Sequence, residues 1–178
     1  GRRYYQNHQN KKELARWLEK TDYSDITPGF RKQLMDFYME TGMMENAFFG
    51  VELYGSHIMG YAKRLKLATF GVNKHGDRLD ETTLSLAYSA SLRKKYNRDT
   101  LTYLMRYFSG ELEDLLTIWE RSQKIGLPTE EFEKKIISQS IATGNHTAGV
   151  FPVFESFYEK NSGDPLTDQY LEYLLMVF

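Results

Sequence analysis

Residues 99–128, DTLTYLMRYFSGELEDLLTIWERSQKIGLP, hold two apolar runs at helical spacing, each closed by a glycine. Leu101, Leu104, Met105 and Phe108 fall on one face until Gly110, and Leu112, Leu115, Leu116 and Trp119 repeat the spacing until Gly126. Pro128 lacks the amide hydrogen that a continuing helix would need, so a new element must begin beyond it. Thr129 follows as an expected cap, with Glu130 and Glu131 where carboxylates suit the positive end of a helix, and Phe132, Ile136 and Ile141 form the core face.

The same grammar extends in both directions. Downstream, Val150, Phe154, Phe157 and Tyr158 run to the Asn161-Ser162-Gly163 turn, and Asp164-Pro165 opens a last helix with Leu166, Tyr170, Tyr173, Leu174 and Val177. Upstream, Leu84, Tyr88, Ser91 and Leu92 make one stripe, while Ile58, Ala62, Leu65 and Thr69 make another that stops at Gly71. Thr27-Pro28 predicts a capped helix carrying Phe30, Leu34, Phe37 and Tyr38 to Gly42. Met44, Ala47, Phe48, Val51 and Tyr54 then run to Gly55, with Gly50 inside as either a close packing point or a tolerated residue. Leu14, Trp17 and Leu18 mark one more helix near the start. Strand alternation is poor throughout, so the expectation is an all-α chain of about ten short helices.

Short helices joined by short loops fold with sequential neighbours antiparallel, as helical hairpins. Gly42, Gly76, Gly110 and Gly144 stand 34 residues apart, the period of tetratricopeptide-size helical repeats. The apolar positions of the second unit do not register with the others, and no tetratricopeptide signature is present. The architecture predicted is therefore an α-solenoid, with an irregular helical bundle as the alternative. We expect a single domain over residues 1–178, with a possible subdivision at the polar stretch 72–80, VNKHGDRLD.

Composition excludes several classes. The 178 residues are 41% hydrophobic and 15% aromatic, enough to offset the ordering entropy of a folded domain. Lys plus Arg (23) balances Asp plus Glu (24), so no overall field concentrates nucleic acid or an anionic membrane. The absence of cysteine removes disulfides, thiol nucleophiles and cysteine-ligated metal. No apolar run has the length of a membrane span or the form of a signal peptide, which argues against membrane insertion. Compartment stays open, with the cytoplasm favoured. A start at Gly1 and an apolar end at Leu174–Phe178 lead us to expect a segment of a longer protein.

Two stretches, RKQLMDFYMETGMMENAFFGVELYG (31–55) and TLTYLMRYFSGELEDLLTIWERSQKIGLPTEEFEKKIISQSIATG (100–144), resemble a family of large bacterial proteins of unknown function. The resemblance runs from about Phe30 to the C-terminus and rests on aromatic and apolar positions around Tyr-Phe-Ser-Gly and the leucine-tryptophan helix. It implies a C-terminal helical array within a longer chain and carries no activity to transfer.

Candidate chemistry is sparse. His8, His57, His75 and His146 stand apart, with no i,i+4 pair to hold a metal, and Asn145-His146-Thr147 reads as a turn before a helix. Glu111, Glu113, Asp114, Glu130, Glu131 and Glu133 lie in first turns, where the helix dipole accounts for them, and no carboxylate is expected inside an apolar stripe. No phosphate loop, catalytic residue, cofactor site or metal site is predicted. Two basic clusters, Lys63-Arg64-Lys66 and Arg93-Lys94-Lys95 with Arg98, read first as helix-end charges. Tyr103 and Tyr107 stand i,i+4 beside the 101–108 stripe with Arg106 adjacent, which fits either packing on the next helix or a partner-facing aromatic row. The function expected is protein or peptide binding, or scaffolding, through the residues Tyr103, Arg106 and Tyr107. A nucleic-acid-binding array and an enzyme with an unrecognised site are the alternatives, and any small-molecule ligand is left open.

Overall fold

The computed structural model of the chain describes residues 11–14, 27–145 and 147–178. Residues 11–14 are helical, whereas Trp17, Leu18, His8 and His146 lie outside the described residues. Among the described residues every regular element is helical, so the all-α class stands. The chain divides into two compact units, Gly1–Lys95 and Tyr96–Phe178.

The first unit contains α1 (Pro28–Glu40), α2 (Met44–Tyr54), a 3-10 turn (Ser56–Ile58), α3 (Tyr61–His75) and α4 (Glu81–Leu92). Pro28 opens α1, but the Thr27 side chain makes no capping hydrogen bond. At α4 a cap that sequence reading missed is complete: the Asp80 carboxylate accepts from the Thr83 amide at 2.9 Å and from the Thr83 hydroxyl at 2.6 Å. The stretch 72–80 lies within this unit. Its first residues, Val72 to His75, continue α3 beyond Gly71, and the remainder connects α3 to α4, which pack on each other more extensively than any other pair here.

Which face of α3 and α4 is buried differs from the apolar stripes. Leu67, Ala68 and Gly71 are covered on α3, while Ala62 is exposed. On α4 the covered residues are Thr83, Leu86, Ala87, Ala90 and Ser91, and Leu92 is exposed. Small side chains decide this, because two helix backbones approach closely only where little stands between them. A Cβ added at Gly71 would collide with the Thr83 hydroxyl and lie 2.9 Å from Phe48 Cε2. Gly50 plays the same part in the α1–α2 pair, where an added Cβ would run into the sulfur of Met35. Gly50 is therefore a packing point.

The second unit contains α5 (Arg98–Tyr107), α6 (Leu112–Lys124), α7 (Glu130–Thr143), α8 (Val150–Asn161) and α9 (Pro165–Val177). Its helices pack on sequential neighbours, and α9 returns to touch α7 as well as α8. A capping box that sequence reading missed starts α5, with the Thr100 amide donating to Asn97 Oδ1 at 2.9 Å and the Asn97 amide to Thr100 Oγ1 at 3.1 Å. Asp164 caps α9 as its Asp-Pro pair foretells, accepting from the Leu166 amide at 2.9 Å. The four glycines spaced by 34 residues are not equivalent: Gly42 and Gly144 take positive φ at helix ends, whereas Gly76 is right-handed helical and Gly110 is not in the left-handed region.

Gly71→Ala is expected to destabilise the chain by about 1–3 kcal/mol through overpacking against Thr83 and Phe48, although alanine is the better helix former. Urea unfolding measures it, and a gain in stability would remove the close contact from the account. Tyr170, fully covered beside Phe154 at 4.7 Å between ring centroids, has its phenol pushed up to about 12 by burial and then by Tyr173. The unfolded phenol ionises first, near its ordinary 10.0, so the folded state holds the proton more tightly between those values. This contribution to stability is complete below about pH 10 and is lost as pH rises toward about 12. Tyr170→Phe should flatten that part of a stability-against-pH curve.

Candidate functional site

The predicted row on α5 divides. Thr100, Leu101, Tyr103 and Leu104 are buried, Tyr107 is half-buried and Arg106 is exposed. At about 100° per residue, Thr100 and Leu104 form the centre of the covered arc and Leu101 and Tyr103 its flanks. The burial of a threonine rotates the arc away from Met105 and toward Tyr103, a shift that apolar spacing alone conceals. Tyr103, 3% exposed, is a core residue of the second unit. Its ring lies 4.8 Å from that of Tyr107, and the Arg106 guanidinium stands 5.0 Å over the Tyr107 ring. Arg106 and the outer edge of Tyr107 are the parts of this row that reach solvent.

One expectation about carboxylates is overturned. Glu133 is 2% exposed on the core face of α7. Its Oε2 accepts from Trp119 Nε1 at 2.9 Å, from the Thr129 hydroxyl at 3.1 Å and from Gln123 Nε2 at 3.4 Å. Among the described residues no cation forms an ion pair with it. The dipole reading placed it in a first turn and outside the apolar stripes, but the indole and amide of α6 satisfy the carboxylate well enough to bury it. With three donors on one oxygen, the group ties α6 to α7. On the same helix Lys135 donates to the Phe108 carbonyl and Gln139 to that of Gly110 at 3.1 Å, so α7 also holds the α5–α6 connection. Desolvation lowers the Lys135 ammonium below its ordinary value.

Among the described residues no group of three or more His, Cys, Asp or Glu side chains could hold a metal ion, and no helix is long and apolar enough to cross a membrane. His75 Nδ1 lies 2.9 Å from Arg78 Nη2, and His57 is in the 3-10 turn. Part of the basic clusters meets the fold, Lys63 pairing with Asp36 at 2.6 Å and Arg64 and Arg93 lying against the Tyr61 ring, whereas Lys66, Lys94, Lys95 and Arg98 are exposed.

Beside single exposed apolar side chains such as Leu79, Leu92 and Phe151, two groups of them stand on one helix or helix pair. In the first unit a groove lined by Leu34, Tyr38, Asn46, Phe49, Leu53 and Tyr54 opens over Gly50, with an empty volume of about 220 Å³ that includes open solvent. Phe30 (46%), Phe49 (51%) and Leu53 (49%) are half-exposed in this pair of helices. In the second unit α9 buries Thr167 and Tyr170 but leaves Leu171, Leu175 and Met176 exposed.

Residues 80–177 match the family described as Family of unknown function (DUF5717), C-terminal. The chain belongs to this family. The DUF5717 match starts at Asp80, the N-cap of α4, and extends through α9, so it includes Tyr103, Arg106, Tyr107 and the Glu133 network. The α1–α2 groove lies before it. No curated protein and no solved structure matches the chain.

Tyr103→Ala is expected to cost about 3–5 kcal/mol, as truncation of a buried aromatic does. Arg106→Ala should stay within about 0.5 kcal/mol. Chemical denaturation of the two variants compares them, and equal small losses would return Tyr103 to the surface.

Proposed function

We propose that this chain is a protein-interaction module whose α1–α2 groove receives an amphipathic helix of a protein partner. The observation that carries this reading is the exposure of two large apolar side chains, Phe49 and Leu53, one turn apart over an apolar groove. Leu34 and Tyr38 of α1, both buried, close the floor of the groove, and the half-exposed Phe49 and Leu53 form an apolar row along the α2 axis on which a helix can lay its apolar face. Leaving Phe and Leu half in water is unfavourable by about 25 cal/mol per Å² of apolar area, and a partner that covers them recovers that free energy. Because its empty volume includes open solvent, the groove encloses far less than the roughly 300–1,000 Å³ of small-molecule pockets, which favours a protein surface over a small ligand. Arg31, whose guanidinium stands 4.7 Å over the Tyr54 ring, adds a cation beside the groove wall. In the second unit, Arg106 and the edge of Tyr107 provide a smaller surface for the same class of partner.

A photo-crosslinking residue placed at 49 in the native host is expected to trap one dominant protein that the same residue at exposed position 155 does not. With that protein purified, Phe49→Ser combined with Leu53→Ser should weaken binding at least about tenfold, since apolar anchors dominate such interfaces. Unfolding free energy should change little, because both side chains are half-exposed. Equal crosslinking from both positions, or unchanged affinity in the double variant, would sink the reading.

A further inference from the structure

We infer that Tyr61, Arg64 and Arg93 form a binding site for a phosphate monoester. None of the three lines the apolar groove, and the inference stands apart from the reading of that groove. The α3–α4 hairpin builds the site. Tyr61 is the first residue of α3, Arg64 lies one turn further on the same face, and Arg93 is the C-cap of α4. The hairpin brings both guanidinium carbons against one ring, at 4.4 Å for Arg64 and 5.2 Å for Arg93. Arg93 does most to lower the Tyr61 phenol from its ordinary value, and Arg64 adds to it.

Arg64 is held in place before any ligand arrives. Its Nε donates to the Met59 carbonyl at 2.8 Å and its Nη1 to the Ser89 hydroxyl at 2.5 Å, which leaves Nη2 for another acceptor. The dipole at the end of α4 accounts for a cation at position 93, yet it does not account for a second guanidinium against the same ring. Among the described residues neither arginine forms an ion pair with a carboxylate. Two positive groups gathered against one neutral ring repel each other, and an anion beside them relieves that repulsion. Two charges match a dianion better than a single carboxylate, and the guanidinium fork fits phosphate oxygens with paired hydrogen bonds. The Tyr61 hydroxyl can donate to a third oxygen, and the ester oxygen then points to solvent, because Arg93 is exposed.

The test is calorimetric titration of the full chain with phenyl phosphate and with glycerol 1-phosphate at constant ionic strength, chloride making up the balance. Saturable binding of at least one ester is expected, at least about fivefold tighter than phenylsulfonate, a monoanion of similar shape. Arg93→Gln should weaken it about tenfold or more while leaving the thermal melt unchanged, and Tyr61→Phe should weaken it less. A preference for phenyl phosphate would point to a phosphorylated aromatic side chain as the source, and equal binding to any small phosphate ester. Absence of saturable binding to both esters, or equal affinity in the wild type and Arg93→Gln, would overturn the assignment.

Discussion

The first unit depends on the close approach of α3 to the first turn of α4, and that approach exists because position 71 has no side chain. With Gly71 against Thr83, the covered faces become Leu67 and Ala68 on one helix and Leu86, Ala87 and Ala90 on the other. The Thr83 hydroxyl that a Cβ would strike is itself bound to the Asp80 cap, so the helix start and the packing contact are one structure. At the far end of the same hairpin the start of α3 meets the end of α4, which is how Tyr61, Arg64 and Arg93 come together although they are widely separated in sequence.

The second unit is organised around α7. Glu133 takes donors from α6 and from the cap of its own helix, while Lys135 and Gln139 hold carbonyl groups of the connection before α6. A buried carboxylate without a cationic partner is tolerated because its hydrogen bonds replace those it made to water. Such a network ties polar positions to a particular register, since sliding α7 by one residue would break all of these bonds together. The aromatic group of Phe154, Tyr170 and Tyr173 supplies the apolar counterpart at α8 and α9.

Family membership covers the last helix of the first unit and the whole of the second, the part in which buried tyrosines and the Glu133 network define the packing. The α1–α2 groove, Tyr61 and Arg64 lie before the match, whereas Arg93 falls inside it. The proposed groove and the residues of the family match thus lie in different parts of the chain.

Much of the architecture was legible in the sequence because helix ends are local. Asp164-Pro165, Gly42, Gly55, Gly126 and Gly144 act through their own backbone conformations or through neighbours a few positions away, and the structure places helix boundaries at each. The all-α class followed from the same local signals. Facing was less legible. Apolar spacing put Leu84, Leu92 and Met105 on core stripes and set Tyr103 beside one, but burial is a property of pairs of helices, and small residues such as Gly71, Ala87 and Thr100 decided how each pair closed. The covered position of Glu133, which reads in sequence as a first-turn carboxylate suited to the dipole, was hidden for the same reason, since its donors Trp119 and Gln123 lie on another helix. The sequence by itself determined where helices begin and end, because capping and backbone freedom are settled within a few residues. Tertiary structure decided which side chains are covered and which cations meet, because those depend on how close two backbones can come.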